Sequence, residues 1–205
     1  MKYCLLELQN ISYSYHTLSG ETKALNNISF KLMEGEFLAI VGPSGCGKST
    51  LLSIIAGLIQ AETGKVIFHN TESEAGALKV GYMLQHDHLL EWRSVFQNVI
   101  LGLEINHCKT EENLQYVESL LKEYGLEQFK NKRPGELSGG MKQRAALIRT
   151  MALKPELLLL DEPFSALDYQ TRLIVSADIC NLIRKSGKTV ILITHDLSEA
   201  VRLSD

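Results

Sequence analysis

The sequence predicts an α/β fold built on a mainly parallel sheet, on three observations. The apolar run FLAIV (37–41) passes directly into a glycine-rich loop and then a helical pattern. Four consecutive leucines, Leu157 to Leu160, read as a strand covered on both faces, as strands of parallel sheets are. Strand and helix patterns alternate at both ends of the chain, the order that gives parallel crossovers.

Taken in order, FLAIV is a buried strand and KSTLLSIIAGL the helix after it. KVIFH (65–69) and KVGYML (79–84) are two further strands. From about Gln85 to Arg144 strand signals become sparse. Within that stretch KTEENLQYVESLLKEYG forms a helix, because Leu114, Val117, Leu120, Leu121 and Tyr124 share one face. Thr110 is placed to cap its start and Gly125 to close it. The leucine strand, a helix over roughly 170–186 ending at Gly187, and the buried strand TVILIT complete the order. Ligands of such sheets gather at the carboxyl ends of the strands, and the polar motifs of this chain fall there.

A length of 205 residues fits one domain carrying an inserted subdomain. With 45% hydrophobic and 22% charged residues the chain has the balance of a soluble globular protein. A net charge of −3 without a long Lys/Arg run argues against a nucleic-acid partner. The cysteines, Cys4, Cys46, Cys108 and Cys180, form no CxxC pair, so neither a zinc site nor a redox motif is indicated, and free thiols in a reducing compartment are expected. No apolar run reaches the ~18 residues of a membrane span, and MKYCLLELQN is not a convincing signal peptide. A cytoplasmic protein is expected, serving a membrane only through a partner.

GPSGCGKST is a G-x-x-x-x-G-K-[ST] loop between a strand and a helix. Its glycines let several backbone N–H groups turn inward on an anion. The helix N-terminus that follows favours phosphate. Lys48 brings a mobile positive charge to the outer phosphates, and Ser49 brings a hydroxyl oxygen for Mg²⁺. Gly42, Pro43, Ser44, Gly45, Cys46, Gly47, Lys48, Ser49 and Thr50 are therefore expected to bind nucleotide. Asp161 and Glu162 end the leucine strand. Asp161 is placed to hold Mg²⁺, and Glu162 to polarise a water as general base. His195 ends TVILIT in the same way. Gln85 ends KVGYML, where an amide oxygen can join a magnesium shell or hold a water. An acidic pair after a strand is by itself as often a solvated turn or a helix cap, and a lone histidine is more often structural. The phosphate loop upstream tips both readings towards chemistry.

Together these residues resemble the ATP-binding subunit of ABC transporters over nearly the whole chain. GPSGCGKST is similar to the family's Walker A loop, Gln85 to the Q-loop, LSGGM to the signature and LLLLDE to Walker B. SALD, ending at Asp168, is similar to the D-loop, and His195 to the switch histidine. Tyr15 falls where the family has an aromatic that stacks on adenine, with Tyr13 a rival in register. The resemblance implies a P-loop NTPase: a RecA-like core, an N-terminal antiparallel β part, and a helical subdomain inserted at about 86–144. It implies a head-to-tail dimer with two ATP molecules at the interface. Ser138, Gly139 and Gly140 would clamp the γ-phosphate held by the other copy, and Asp168 would join the shared site.

The segment LLEWRSVFQNVILGLE and the Met141 of LSGGM resemble the nitrate, sulfonate and taurine importers, although Glu91 stands where members commonly have proline. Relatives usually continue beyond the position of Asp205, so a shortened C-terminal part is expected. The expected partners are a second copy, membrane permease subunits and, indirectly, an extracytoplasmic solute-binding protein. The expected location is the inner face of the cell membrane. An exporter ATPase, and an ABC ATPase acting on nucleic acid or ribosomes, are the alternatives.

Overall fold

The structure, a computed structural model, describes residues 3–18, 20–69 and 78–203. The expectations that fall on Met1, Lys2 and Asp205 lie outside them. Two sheets enclose one helix. In the first, β1 (Cys4–Thr17) lies between β2 (Gly20–Met33) and β4 (Thr63–Phe68), antiparallel to both. The second is parallel, in the order β3 (Phe37–Val41), β7 (Thr189–Thr194), β6 (Leu157–Asp161), β5 (Val80–Met83). This is the P-loop NTPase fold with an antiparallel β part at the N-terminus.

The four leucines of β6 show why the run is continuous. Alternate side chains of a strand point to opposite faces. Leu157 and Leu159 enter a core with α1 (Lys48–Ile55) and the antiparallel sheet. Leu158 and Leu160 enter the other core, with α4 (Glu111–Glu123), α5 (Gly139–Met151) and α6 (Tyr169–Lys185). In β7, Ile191 and Ile193 face the first core, Val190 and Leu192 the second. Both faces of the two central strands are thus dry, while the edge strands β3 and β5 are mostly half-buried.

Between β5 and β6 the described chain holds no strand. It runs through α2 (Val95–Val99), α3 (Leu101–Ile105), α4, two 3₁₀ turns and α5. Thr110 caps α4 by accepting from the Asn113 amide, and Gly125 takes a left-handed φ of 70° just past its end. The remaining helix is α7 (Leu197–Leu203). Boundaries shift by a residue or two from the expected ones: β4 starts at Thr63, β5 ends at Met83, and α6 starts at Tyr169. No helix among the described residues is long and apolar enough to cross a membrane.

Candidate nucleotide site

Register brings the polar motifs level. Val41 pairs with Thr194, Ile193 with Asp161, and Leu160 with Met83. The glycine loop, the acidic pair and His195 therefore leave the sheet at one carboxyl edge.

The loop is shaped by glycine where nothing else fits. Gly45 and Gly47 have φ of 80° and 95°, a region costly for residues with a Cβ. A Cβ on Gly47 would also lie 2.3 Å from the Ala24 carbonyl oxygen. Lys48 is buried, and its Nζ donates to the carbonyls of Gly42 and Pro43, both at 2.8 Å. The lysine is thus held over its own loop, 4.0 Å from Oε1 of Glu162. Cys46 is exposed, with Sγ 3.9 Å from that ammonium. Pro43 and Ser44 lie in the same loop.

β7 separates β3 from β6, so contact with the acids is made from above the sheet by the first turn of α1. Ser49 donates to Oδ1 of Asp161 at 3.1 Å, and Tyr82 donates to Oδ2 at 3.3 Å. Burial, with the neighbouring Glu162 charge, pushes the Asp161 carboxyl up, against the opposing pull of those two hydrogen bonds. Glu162 Oε2 lies 3.1 Å from His195 Nδ1. One carboxylate thus faces both the loop lysine and the histidine. Thr50 is tied to Tyr15 by a hydroxyl–hydroxyl bond of 3.0 Å. Tyr15 is exposed beside α1, whereas Tyr13, edge-on to it at 5.1 Å, is partly buried against the core. The geometry favours Tyr15 over Tyr13 as a platform for a flat ligand.

Two groups of expected residues do not join this cluster. Gln85 lies two residues beyond β5, exposed, with no hydrogen bond to Ser49 or Asp161. Ser138, Gly139 and Gly140 open α5, whose packing is on the other helices and β5. Ser138 accepts from the Met141 amide as N-cap. Their glycines have a packing reason the sequence did not disclose: a Cβ on Gly139 would meet Leu167 at 2.8 Å, and one on Gly140 would meet Val175 at 2.8 Å. Asp168 caps α6 by accepting from the Thr171 amide at 3.1 Å.

Sequence reasoning missed three residues. Tyr82 is one, and nothing but its place on a strand ending near the acids signals it. Arg172 is another, donating to the carbonyls of Phe164, Ser165 and Leu167 and so fixing the loop that ends at Asp168. Glu199 is the third, bonded to Thr194. Neither Arg172 nor Glu199 carries a local signal, since hydrogen bonds made by the fold leave no pattern in the sequence.

Residues 25–165 match the ABC transporter family. An uncharacterized ABC transporter ATP-binding protein of Bacillus subtilis is 46% identical over 200 residues, 98% of this chain and 77% of that protein. The nitrate transport protein NasD of Klebsiella oxytoca is 40% identical over 98% of this chain and 78% of its own length. The spermidine/putrescine import ATP-binding protein PotA of Lawsonia intracellularis is also 40% identical, over 100% of this chain and 55% of its own. Among solved structures, the dimeric post-hydrolysis state of the ATP-binding cassette MJ0796 bound to ADP and Pi superposes with a TM-score of 0.79. It is 33% identical, with 98% of this chain and 91% of that one covered.

Proposed function

The chain belongs to the ABC transporter family, and on that footing we propose that it is the ATP-hydrolysing subunit energising uptake of a small anionic or sulfonate-like solute through a separate permease. One observation carries the chemistry: Lys48, Ser49, Asp161, Glu162 and His195 meet at one sheet edge, while Ser138 opens a helix packed elsewhere. A second copy, facing the first head to tail, would bring its Ser138, Gly139 and Gly140 to the γ-phosphate.

In this reading the loop amides and Lys48 bind the phosphates and Tyr15 supports the adenine. Glu162 accepts a proton from a water. The water oxygen bonds to the γ-phosphorus as the bond to the ADP oxygen breaks. His195, beside Glu162, orients that carboxylate and the phosphate. Gln85, exposed here, would reach the site only when the two copies close. Asp168 lies on the loop that faces the partner.

The donor set fits Mg²⁺. Ser49 Oγ and Asp161 Oδ1 are hard oxygens 3.1 Å apart, close to the roughly 2.9 Å between adjacent ligands of an octahedral ion with bonds of 2.0–2.1 Å. Ser49 would ligate directly and Asp161 through water or directly. The ion would supply charge neutralisation for the β- and γ-phosphates.

A permease partner is supported by a cleft of about 510 Å³ between α3–α4 and the start of β5, with Leu103, Leu153 and Pro155 in its wall. Trp92, Leu84 and Ile105 are large apolar side chains left exposed on the single copy. A peripheral place on the inner membrane face follows from that partner, and a solute-binding protein would deliver the cargo from the other side.

Glu162→Gln tests the mechanism. It is expected to lower ATPase activity at least ~10²-fold, the scale of losing a general base, while nucleotide still binds. Full activity in that variant would refute the assignment. For the cargo, ATPase activity of the reconstituted transporter should rise with nitrate or an alkylsulfonate and its binding protein. A rise with spermidine alone would refute the anionic reading.

A further inference from the structure

Glu199 is a buried acid, 6% exposed, in the first turn of α7. Burying a carboxylate is costly, and an apolar side chain would serve a core better. Its surroundings show what it holds. Oε2 accepts a hydrogen bond from the Thr194 hydroxyl, and that hydroxyl accepts from the Asp196 amide at 3.0 Å. Oδ1 of Asp196 accepts in turn from the amides of Ser198 and Glu199, at 2.8 and 3.2 Å. The residues on both sides of His195 are thereby tied to Glu199. His195 itself is exposed and has one side-chain contact of this kind, to Glu162.

The arrangement reaches further than the histidine. Glu199, Arg172, Glu162 and His195 line a single small cavity of about 10 Å³, and Oε1 of Glu199 is buried without a hydrogen-bond partner among the described residues. Arg172 holds the carbonyls of Phe164, Ser165 and Leu167 in the loop that follows Glu162. Arg202, also on α7, donates to Ser176 of α6 at 2.8 Å and anchors the helix that carries Glu199.

We propose that Glu199 is a positioning residue, holding through Thr194 the turn that presents His195 to Glu162. This rests on the roles proposed above for Glu162 and His195. The bond to Thr194 needs an acceptor oxygen, which glutamine keeps and alanine lacks. A residue acting on the chemical step alone should change kcat and leave KM in place.

The test compares Glu199→Ala, Glu199→Gln and Thr194→Val with His195→Ala in the purified protein, reading kcat, KM for ATP and nucleotide affinity. Glu199→Ala and Thr194→Val should lower kcat about tenfold or more with KM within about threefold, and Glu199→Gln should recover most of kcat. If His195→Ala loses activity while Glu199→Ala and Thr194→Val keep theirs, the positioning role is overturned. It is equally overturned if Glu199→Ala and Thr194→Val weaken nucleotide binding as much as turnover. Should Glu199→Ala fail to fold, the shape-conserving Thr194→Val decides by the same criteria. If His195→Ala itself keeps full activity, the reading of His195 has failed, and the inference with it.

Discussion

Glu162 has a φ of 43°, left-handed and unfavourable for a residue with a side chain. Its amide donates to the Ile193 carbonyl at 3.0 Å, which helps hold the conformation. The result is a carboxylate aimed at Lys48 and His195. Its neighbour Asp161 shows the opposing demand, since burial raises its pKa and the charged form is disfavoured in the folded protein. The folded state therefore holds the proton more tightly than the unfolded chain does. Above the raised pKa the charged Asp161 costs stability, and the cost fades as pH falls through that range. Asp161→Asn, which keeps an acceptor for Ser49, should raise the melting temperature of the nucleotide-free protein at pH 7 by a few degrees. The gain should vanish in acid, and ATPase activity should be lost at every pH. Calorimetry across pH checks the first part. The motif residues were legible at this scale because phosphate chemistry restricts their types and spacing. Glu199 and Tyr82 were not, because a hydrogen bond made through folding leaves no local pattern.

The elements were legible where a face had one environment. β6, β7 and α4 follow from apolar continuity or periodicity. The 14-residue strands β1 and β2 did not stand out. Their pairing shifts register at several points and much of β2 is exposed, so alternation is interrupted. Met141 belongs here as well: in the first turn of α5, it is partly buried against the larger core. The segment before α2 is held by Asn98, which is fully buried. It accepts from the Leu90 amide at 2.7 Å and donates to the carbonyls of Leu90, Arg93 and Ser94. Asn98→Ala should cost about 2–3 kcal/mol by orphaning those groups, read as a lowered urea midpoint. The same segment carries Glu91, whose carboxylate is 3.9 Å from Lys142 of α5. That contact joins the stretch resembling a permease-facing region to the helix that Ser138 opens.

At the scale of the molecule, the proposed mechanism needs two half-sites for phosphate, on different elements. One has a lysine, a hydroxyl and acids at the sheet edge. The other has a hydroxyl and backbone amides at the start of α5, whose glycines also let α6 pack closely. Neither is complete alone, and a head-to-tail pair would complete both. Sequence could name each half from its motif but could not show that they lie apart, since that depends on how α5 packs. The cargo was the least legible feature, because an ATPase subunit has no solute contact to encode it. In the proposed mechanism ATP joins two copies through Ser138. The direct measurement is the mass of Glu162→Gln in solution with and without Mg-ATP, beside the double variant Glu162→Gln/Ser138→Arg. The account predicts an ATP-dependent dimer for the first and a monomer with ATP still bound for the second. A double variant that dimerises as readily, or a Glu162→Gln protein that stays monomeric while saturated with ATP, would contradict it.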